Sequence, residues 1–390
     1  MEIKKGYKMT DVGVIPEDWE VKSIGEIAKT TSGGTPSRED DSLYIGKNRW
    51  FTTSELNDGY IYDSIEHISD EAIKITTARI VPANSILMAM YGATIGKLAI
   101  ITKESSTNQA CCAIMVNSDI VMKYVFYNLL FLRQNIIELG VGAGQPNISQ
   151  SIVRSIHISI PSKKEQQAIA DALTKVDNLI TSLTKVIEKK KLIKKGTMQK
   201  LLSGEMRLDG FEGEWELKKI KDIAVIEKGE LLISSQYVNG NIEVWAGGKV
   251  PAGFHNVANR TKNTITISAS GAYAGFVSYH DCPIYATDCS TISESDDIYI
   301  KYLYYSLIKI QDKIYDMQTG GAQPHVHAKD IYPIELTMPP SKAEQTAIAN
   351  ILTTMDNEIE ALEKERDKYK CIKQGMMQQL LTGKIRLTCQ

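Results

Sequence analysis

Two stretches of this chain carry apolar residues at alternating steps of four and three positions, the spacing of one helix face in a coiled coil. The positions between them are mostly polar, so each stretch predicts a long helix with one apolar seam. The first stretch, from Lys163 to Leu202, would be about 60 Å long. The seam residues are Ile169, Leu173, Val176, Ile180, Leu183 and Ile187 in the first stretch, and Ile348, Leu352, Met355, Ile359 and Leu362 in the second.

The two stretches are copies of one sequence. Residues 162–208 align with residues 341–387 at a constant offset of 179 without a gap, and 26 of the 47 positions are identical. A single apolar seam is unstable in water, and the other copy is the nearest matching surface. We therefore expect the two copies to pair as an antiparallel coiled coil.

The ends of the copies suggest how each helix begins and finishes. Each copy opens with a proline and a serine, followed three residues after the serine by Glu165 or Glu344, which predicts a capping box at the helix start. Late in each copy a glycine, Gly196 or Gly375, indicates a bend or fraying.

Two larger segments contain short runs of Ile, Val, Tyr and Thr broken by Gly, Asn, Asp and Pro, a pattern that favours strands. Val121 to Leu139 and Ile298 to Asp316 instead predict amphipathic helices. Weak echoes, such as residues 92–96 with residues 271–275, relate the segments to each other. The fold class is therefore α+β with a pseudo-two-fold duplication. The predicted order is a globular domain over 1–160, a helical spacer over 161–207, a second globular domain over 208–339 and a second helical spacer over 340–390.

Charge and cysteine content narrow the function classes. The net charge of −2 does not by itself indicate a nucleic-acid binder, although residues 161–207 hold 11 basic against 5 acidic side chains. The lysine run from Lys189 to Lys195 fits either a solvated helix face or an acidic partner. There is no apolar segment suited to secretion or membrane insertion, so we expect a cytoplasmic protein. The six cysteines include no CxxC pair and no zinc spacing.

Four features together resemble one family. They are the Gly-Gly-Thr-Pro-Ser stretch at 33–37, the Gly-Ala-Thr-Ile-Gly-Lys stretch at 92–97, the Gly-Gln-Pro-Asn stretch at 144–147 before a Pro-Ser-x-x-Glu-Gln helix, and the duplication. In this combination and order the chain resembles the specificity subunit of Type I restriction-modification systems.

The resemblance implies that the two globular segments are target-recognition domains, each of which reads one half of a bipartite site in double-stranded DNA. It also implies that the coiled coil sets the spacing and binds methyltransferase (modification) subunits, two of them, with no catalysis and no cofactor on this chain. It leaves open whether restriction subunits join. The alternative is a coiled-coil scaffold whose domains bind proteins.

The candidate DNA-binding residues are those able to approach phosphates or to reach base edges. In the first domain an ordinary exposed turn is an equal alternative for the glycine loop, and in the second domain Glu227 to Glu230 replaces that loop. Gln145 and Asn147 suit adenine, although a turn also explains them. The candidates are Gly33, Gly34, Thr35, Ser37, Arg38, Lys47, Asn48, Arg49, Trp50, Thr52, Ser54, Tyr91, Thr94 and Lys97 in the first domain, and Lys249, His255, Arg260, Tyr273 and Lys329 in the second.

The sequence motifs that would indicate an enzyme are incomplete or absent. The stretch at 92–97 is one spacer residue short of a phosphate-binding loop, and Leu98 stands where a magnesium ligand belongs. The chain has no methyltransferase cofactor loop and no Asn/Asp-Pro-Pro-aromatic motif. His325 and His327 have no third ligand nearby in the sequence, so no metal site is predicted.

Overall fold

A computed structural model describes residues 4–140, 147–296, 298–321 and 323–387. The chain forms two compact units. One comprises the residues up to Ser182 together with those from Glu365 onward, and the other is Leu183–Lys364. These units differ from the four predicted segments because each takes in part of both long helices.

The described residues of the first unit form twelve strands and five short helices, followed by the first long helix. The strands are β1 Tyr7–Thr10, β2 Gly13–Pro16, β3 Glu20–Ser23, β4 Ala28–Ser32, β5 Asn48–Phe51, β6 Tyr60–Ile61, β7 Glu66–Ile68, β8 Ile86–Ala89, β9 Leu98–Ile101, β10 Ser106–Thr107, β11 Cys111–Val116 and β12 His157–Ile160. The helices are α1 Ile24–Ile27, α2 Asp70–Ile75, α3 Met122–Phe131, α4 Arg133–Glu138, α5 Gln150–Ser155 and the long helix α6 Lys163–Leu201. Short 3-10 turns cover Asp41–Tyr44, Thr53–Glu55 and Gly92–Thr94.

The second unit repeats much of this order. Its strands are β13 Glu216–Lys219, β14 Ile226–Lys228, β15 Ile242–Trp245, β16 Gly253–His255, β17 Thr264–Ser268, β18 Val277–His280, β19 Tyr285–Ala286, β20 Cys289–Ser293 and β21 Glu335–Met338. Its helices are α7 Ile220–Ile223, α8 Ile300–Lys309, α9 Gln311–Tyr315, α10 Ala328–Ile331 and the long helix α11 Lys342–Leu380, with a 3-10 turn at Ser234–Gln236. Each predicted amphipathic helix is thus two consecutive helices, α3–α4 and α8–α9.

The sheets of the two units follow the same strand order, apart from one additional edge strand, β6, in the large sheet of the first unit. The large sheet has the order β4-β11-β8-β9-β6 in the first unit and β14-β20-β17-β18 in the second. Each unit also has a small sheet whose central strand pairs antiparallel on one side and parallel on the other, with the orders β10-β5-β7 and β16-β15-β19. The α+β class and the duplication of the globular parts are therefore confirmed.

A main core in each unit joins the large sheet, one amphipathic helix and part of the long helices. Tyr124 of α3 is fully buried, and its hydroxyl donates to the carbonyl of Ser159 over 2.8 Å. Tyr302 of α8 is also fully buried and donates to the carbonyl of Thr337 over 3.0 Å. The same polar anchor therefore ties the amphipathic helix to the strand that precedes each long helix.

The long helices run antiparallel. In the first unit, Asp177 near the start of α6 lies 2.6 Å from Lys373 near the end of α11. In the second unit, Lys194 near the end of α6 forms an ion pair with Asp356 near the start of α11. The antiparallel pairing is therefore confirmed. The seam residues are buried at Ile169, Leu173, Ile187, Ile348, Leu352 and Ile359, and half-buried at Val176, Ile180, Leu183, Met355 and Leu362.

Neither mid-helix glycine ends its helix. Each long helix has 39 residues and continues past Gly196 to Leu201 or past Gly375 to Leu380. Leu201 is fully buried and Leu380 is 5% exposed, so the last turn of each helix is held by a core. The expected fraying is absent for that reason.

The capping-box interpretation is wrong for the glutamates. The Ser162 hydroxyl accepts a hydrogen bond from the backbone N–H of Glu165 over 3.3 Å, as expected. The carboxylate of Glu165, however, is buried and accepts two hydrogen bonds of 2.8 Å from Arg386. Glu344 is likewise buried and accepts two bonds of 3.0 Å from Arg207. A carboxylate that is buried away from water is stabilised more by a full positive charge than by a backbone N–H. Each glutamate therefore pairs with an arginine and not with the start of its own helix.

The lysine run meets acidic side chains within this chain. Lys190 lies 2.6 Å from Glu358, and Lys191 lies 2.6 Å from Glu363. Both carboxylates belong to α11, so part of the basic charge of α6 is balanced by the paired helix.

Candidate nucleic-acid interface

Several loops of the first unit meet where strands of its large sheet end. We call this group of loops the first loop rim and define it as residues 33–37, 52–55, 90–97, 107–110 and 147–149. Backbone hydrogen bonds hold the loops together. They run from Gly34 N to Thr107 O (3.0 Å), from Asn108 N to Phe51 O (3.0 Å), from Met90 N to Ala110 O (2.8 Å) and from Ile148 N to Met90 O (2.9 Å).

Gly33 and Gly34 of the rim serve packing inside the chain. A Cβ atom on Gly33 would lie 1.8 Å from the carbonyl oxygen of Thr107, and one on Gly34 would lie 2.2 Å from Thr77 Oγ1. The carbonyl of Gly34 also accepts a 2.9 Å hydrogen bond from Trp50 Nε1. Trp50 is 1% exposed, so its prediction as a DNA contact is wrong: the core of the domain already holds the ring.

The exposed groups of the first rim are mainly polar and uncharged. Thr35 hydrogen-bonds to the exposed side chain of Gln109, which sequence reasoning missed because 74 positions separate the two. Tyr91 is 42% exposed and pairs through its backbone with exposed Asn147. Exposed Lys97 supplies positive charge on the same rim. Gln145 lies outside the described residues.

Several hydroxyl groups of the rim are also hydrogen-bonded locally. Thr52 and Ser54 approach within 2.9 Å through their oxygen atoms. The hydroxyl of Ser37 accepts a bond from the N–H of Glu39 over 3.3 Å, and that of Thr94 donates to the carbonyl of Tyr91 over 3.2 Å. Each hydroxyl oxygen has two lone pairs, so these bonds leave capacity for a ligand.

Arg38 is held in one orientation. Its guanidinium lies 4.1 Å from the ring centre of Tyr44 and donates to both carboxylate oxygens of Glu66, over 2.5 and 2.8 Å. The pair lowers the pKa of Glu66 and raises that of Arg38. A guanidinium stacked in this way presents a fixed edge to solvent.

Three further candidates of the first domain, Lys47, Asn48 and Arg49, lie away from the rim. Lys47 comes just before β5 and Asn48 is its first residue, whereas Thr52 follows the last residue of the strand. Lys47 Nζ is 3.5 Å from Asp70, and the Asn48 amide donates to Asp70 over 2.8 Å. Arg49 Nε lies 3.0 Å from Asp63 but does not align as a hydrogen bond. These three candidates therefore lie apart from the rim, and each has a carboxylate as its neighbour.

The second unit has an equivalent group of loops, which we call the second loop rim. It comprises residues 229–232, 246–249, 269–276, 286–289 and 323–327 of the described chain. Its loops are joined as in the first rim. Glu230 N donates to Ala286 O over 2.9 Å, and Val326 N donates to Ala269 O over 3.0 Å. A Cβ on Gly229 would lie 2.1 Å from the carbonyl of Thr287, so this glycine takes the place of Gly33 although the surrounding motif is lost.

Different side chains line this second rim. The ammonium of exposed Lys249 lies 4.8 Å from the ring centre of Tyr273, which is 44% exposed. Nearby Ser270 donates a hydrogen bond to the exposed carboxylate of Asp288, a group that sequence reasoning did not single out. Lys329 is exposed on α10.

Two candidates of the second domain are structural. His255 is 9% exposed, and its Nδ1 accepts the N–H of Val238 over 3.0 Å. The side chain of Arg260 is 11% exposed, and its nitrogens donate to Thr291, Asn259 and Lys228 over 2.8 to 2.9 Å. The prediction for His255 is wrong, because the imidazole is buried and bonded inside the domain. Arg260 is half-buried and ties three segments together, so its contact with DNA stays a prediction.

The described residues contain no group of three or more His, Cys, Asp or Glu side chains able to hold a metal ion. Burial raises the pKa of the Cys111 and Cys112 thiols to about 12, so neither provides a thiolate at neutral pH. No helix in the described part of the chain is long and apolar enough to cross a membrane.

Comparisons with known proteins agree on one family. The family model for the Type I restriction modification DNA specificity domain matches residues 16–195 and 212–368. The Type I restriction enzyme MjaVIII specificity subunit of Methanocaldococcus jannaschii is 27% identical, over 96% of this chain and 94% of its own. The MjaIX specificity subunit of the same organism is 31% identical over 57% of this chain and 55% of its own. The fold is similar to the crystal structure of the S subunit of a Type I restriction-modification system from M. genitalium, with a TM-score of 0.69, 20% identity and 98% of both chains covered.

Proposed function

The chain belongs to the family of Type I restriction modification DNA specificity proteins, and from this membership we propose how its two units recognise DNA. It is a non-catalytic specificity subunit of a restriction-modification complex. Each globular domain reads one half of a bipartite site in double-stranded DNA, and the paired helices set the gap between the halves and bind the modification subunits.

One observation carries this proposal: the two units share one topology but present different groups on equivalent rims. Each rim has an exposed lysine, Lys97 or Lys249. Beside it the first rim offers hydroxyl and amide groups such as Thr35, Gln109 and Asn147, whereas the second offers the carboxylate of Asp288. Amides pair with adenine, cations with guanine, and carboxylates with the amino group of cytosine. Two readers with one fold and different donors and acceptors suit a site whose halves differ in sequence.

A repeated polar cluster supports the role of the helices. Tyr127 of α3 donates its hydroxyl to Asp177 of α6 over 2.8 Å, and Lys373 of α11 binds the same carboxylate over 2.6 Å. Burial raises the pKa of Tyr127, so the hydroxyl stays a donor. The same cluster recurs in the second unit with Tyr305, Asp356 and Lys194. Each recognition domain is therefore fixed to both helices of its own unit.

The remaining parts of the proposal follow from the family and the charge. We propose two modification subunits as partners, no cofactor on this chain and a cytoplasmic location. The net charge of −2 and the ion-paired lysines imply that the assembled complex supplies much of the affinity for phosphates. A protein-binding scaffold is the competing function, and it would give a complex with no salt-sensitive DNA binding.

A domain exchange tests the proposal. Residues 20–155 are replaced by the equivalent domain of a relative, and the methylated adenines produced by the assembled complex are mapped. We expect one half of the methylated site to change and the other half to stay the same. The matched exchange of residues 216–334 should change the opposite half. A change in both halves after either exchange would refute separate readers.

A further inference from the structure

A short turn links the small sheet to the large sheet in each unit. Residues 108–110 join β10 to β11 in the first unit, and residues 287–288 join β19 to β20 in the second. The first amide of each turn donates to the end of the central strand of the small sheet, from Asn108 over 3.0 Å and from Thr287 over 2.8 Å. The last carbonyl of each turn accepts a backbone N–H, over 2.8 Å in the first unit and 3.2 Å in the second. The two turns are therefore equivalent, and backbone bonds fix both ends of each.

Each turn carries one exposed residue, Gln109 in the first unit and Asp288 in the second. A hydroxyl group from another loop of the same rim holds each head group. Thr35 donates to Oε1 of Gln109, and Ser270 donates to Oδ2 of Asp288. The duplicated fold therefore places an amide in one unit and a carboxylate in the other at the same point, and orients both.

The two head groups differ in what they leave for a ligand. Within the described residues, the bond from Thr35 leaves Gln109 one lone pair on Oε1 and both N–H donors of Nε2. An acceptor beside a donor matches N6 and N7 of adenine in the major groove. The Asp288 carboxylate keeps the lone pairs of Oδ1 and has no donor, which matches the N4 amino group of cytosine.

Affinity for DNA of any sequence does not explain Asp288. Phosphates attract cations and repel carboxylates, so an exposed carboxylate on the second loop rim weakens contact with every duplex. The core does not require the carboxylate either, because its side chain is exposed. A hydrogen bond to one kind of base offsets the repulsion at the correct site only, and this difference favours specificity.

We propose that Gln109 reads an adenine in the half-site of the first unit and that Asp288 reads a cytosine in the half-site of the second. This assignment rests on the proposed function and deepens it. It attributes one difference between the two half-sites to a single equivalent position of the duplicated fold.

Two substitutions exchange the chemistry of the head groups and keep the bonds from the hydroxyls. Gln109→Glu still offers an acceptor to Thr35, and Asp288→Asn still offers one to Ser270. The full chain is assembled with its own modification subunits, its methylated sites are mapped, and binding of singly substituted duplexes is measured in competition. The domain exchange described above identifies which half-site belongs to which unit.

The wild type should specify an A·T pair in the first half-site, apart from the methylated pair, and a C·G pair in the second. Gln109→Glu should change that A·T pair to C·G, with a shift in preference of about tenfold or more, and leave the second half-site unchanged. Asp288→Asn should change the C·G pair to A·T and leave the first half-site unchanged. Asp281→Asn is the matched control, because it removes the same charge from an exposed residue at the end of β18 that lies away from the rim. It should alter neither half-site.

Gln109→Ala and Asp288→Ala give a second measurement without a new charge or hydrogen-bonding group. Each should accept several base pairs at the position that its residue reads and keep the other positions. Variants that keep the wild-type preference at every position would overturn the inference alone. Variants that weaken binding to all duplexes equally would also overturn it, since the side chain would then only hold two loops together. A wild-type complex that shows no preference among duplexes would overturn the proposed function as well.

Discussion

Removing Arg386 should destabilise the first unit strongly. The guanidinium donates two hydrogen bonds of 2.8 Å to Glu165, which is 2% exposed, and bonds of 2.9 and 2.7 Å to Asp18. It also lies 5.5 Å from the ring centre of Trp19. These contacts lower the pKa of Asp18 and raise that of Arg386. Arg386→Ala would leave the Glu165 carboxylate buried without its cation.

The expected loss is about 3–5 kcal/mol in the free energy of unfolding, nearly all of it from the stranded charge of Glu165. The contribution of Asp18 is below about 1 kcal/mol, because its side chain is 64% exposed and screened by solvent. Urea unfolding followed by tryptophan fluorescence measures the loss, since Trp19 Nε1 donates to Glu165 over 3.3 Å.

Two further variants make the experiment decisive. Lys384→Ala removes an exposed cation two residues away and should change stability by less than about 0.5 kcal/mol. The double variant Arg386→Met with Glu165→Gln removes both charges and should recover most of the loss, because a neutral pair leaves no buried ion. A single Arg386→Ala variant as stable as the wild type, or a double variant no better than the single one, would refute the reasoning.

Four other outcomes are expected. The isolated chain should neither methylate nor cleave DNA when S-adenosylmethionine or ATP is supplied, and turnover in a radiometric assay without partner subunits would contradict the proposed role. Lys249→Ala should weaken binding of the assembled complex to its own site by about 1–3 kcal/mol and relax the choice of base at one position of the second half-site, which titrations with singly substituted sites measure. Deleting the heptads 182–188 and 361–367 should shorten the unread gap by roughly three base pairs in methylation mapping, because each helix loses about 10 Å; an unchanged gap in an active complex would exclude the helices as the spacer. Burial lowers the pKa of His280 from 6.5 to about 4, so as the pH falls the imidazole is protonated in the unfolded chain before it is protonated in the folded one. About 3 kcal/mol of the free energy of unfolding should therefore be lost between pH 6.5 and pH 4. Urea titrations should show a flatter dependence on pH in this range for His280→Gln.

Some residues that the sequence suggested as DNA contacts are buried in the structure. Trp50 and His255 both have the chemistry of a DNA-binding residue, yet each is buried and bonded inside its domain. A polar or aromatic residue has the same identity whether it faces solvent or fills a core. Only the packing of distant segments decides which applies, and the same packing brought Gln109 to Thr35 on the first rim.

The long helices, their pairing and the duplication could all be predicted from the sequence. Those properties depend on a seam of regular period and on identity between two stretches, both of which are local patterns. Tertiary structure alone decided which charges meet. Glu165 looked like a helix cap because its sequence neighbours suit one, but the folded chain brings Arg386 to it from 221 positions away. Burial then favours the cation, because a carboxylate removed from water is stabilised far more by a full opposite charge than by an amide dipole.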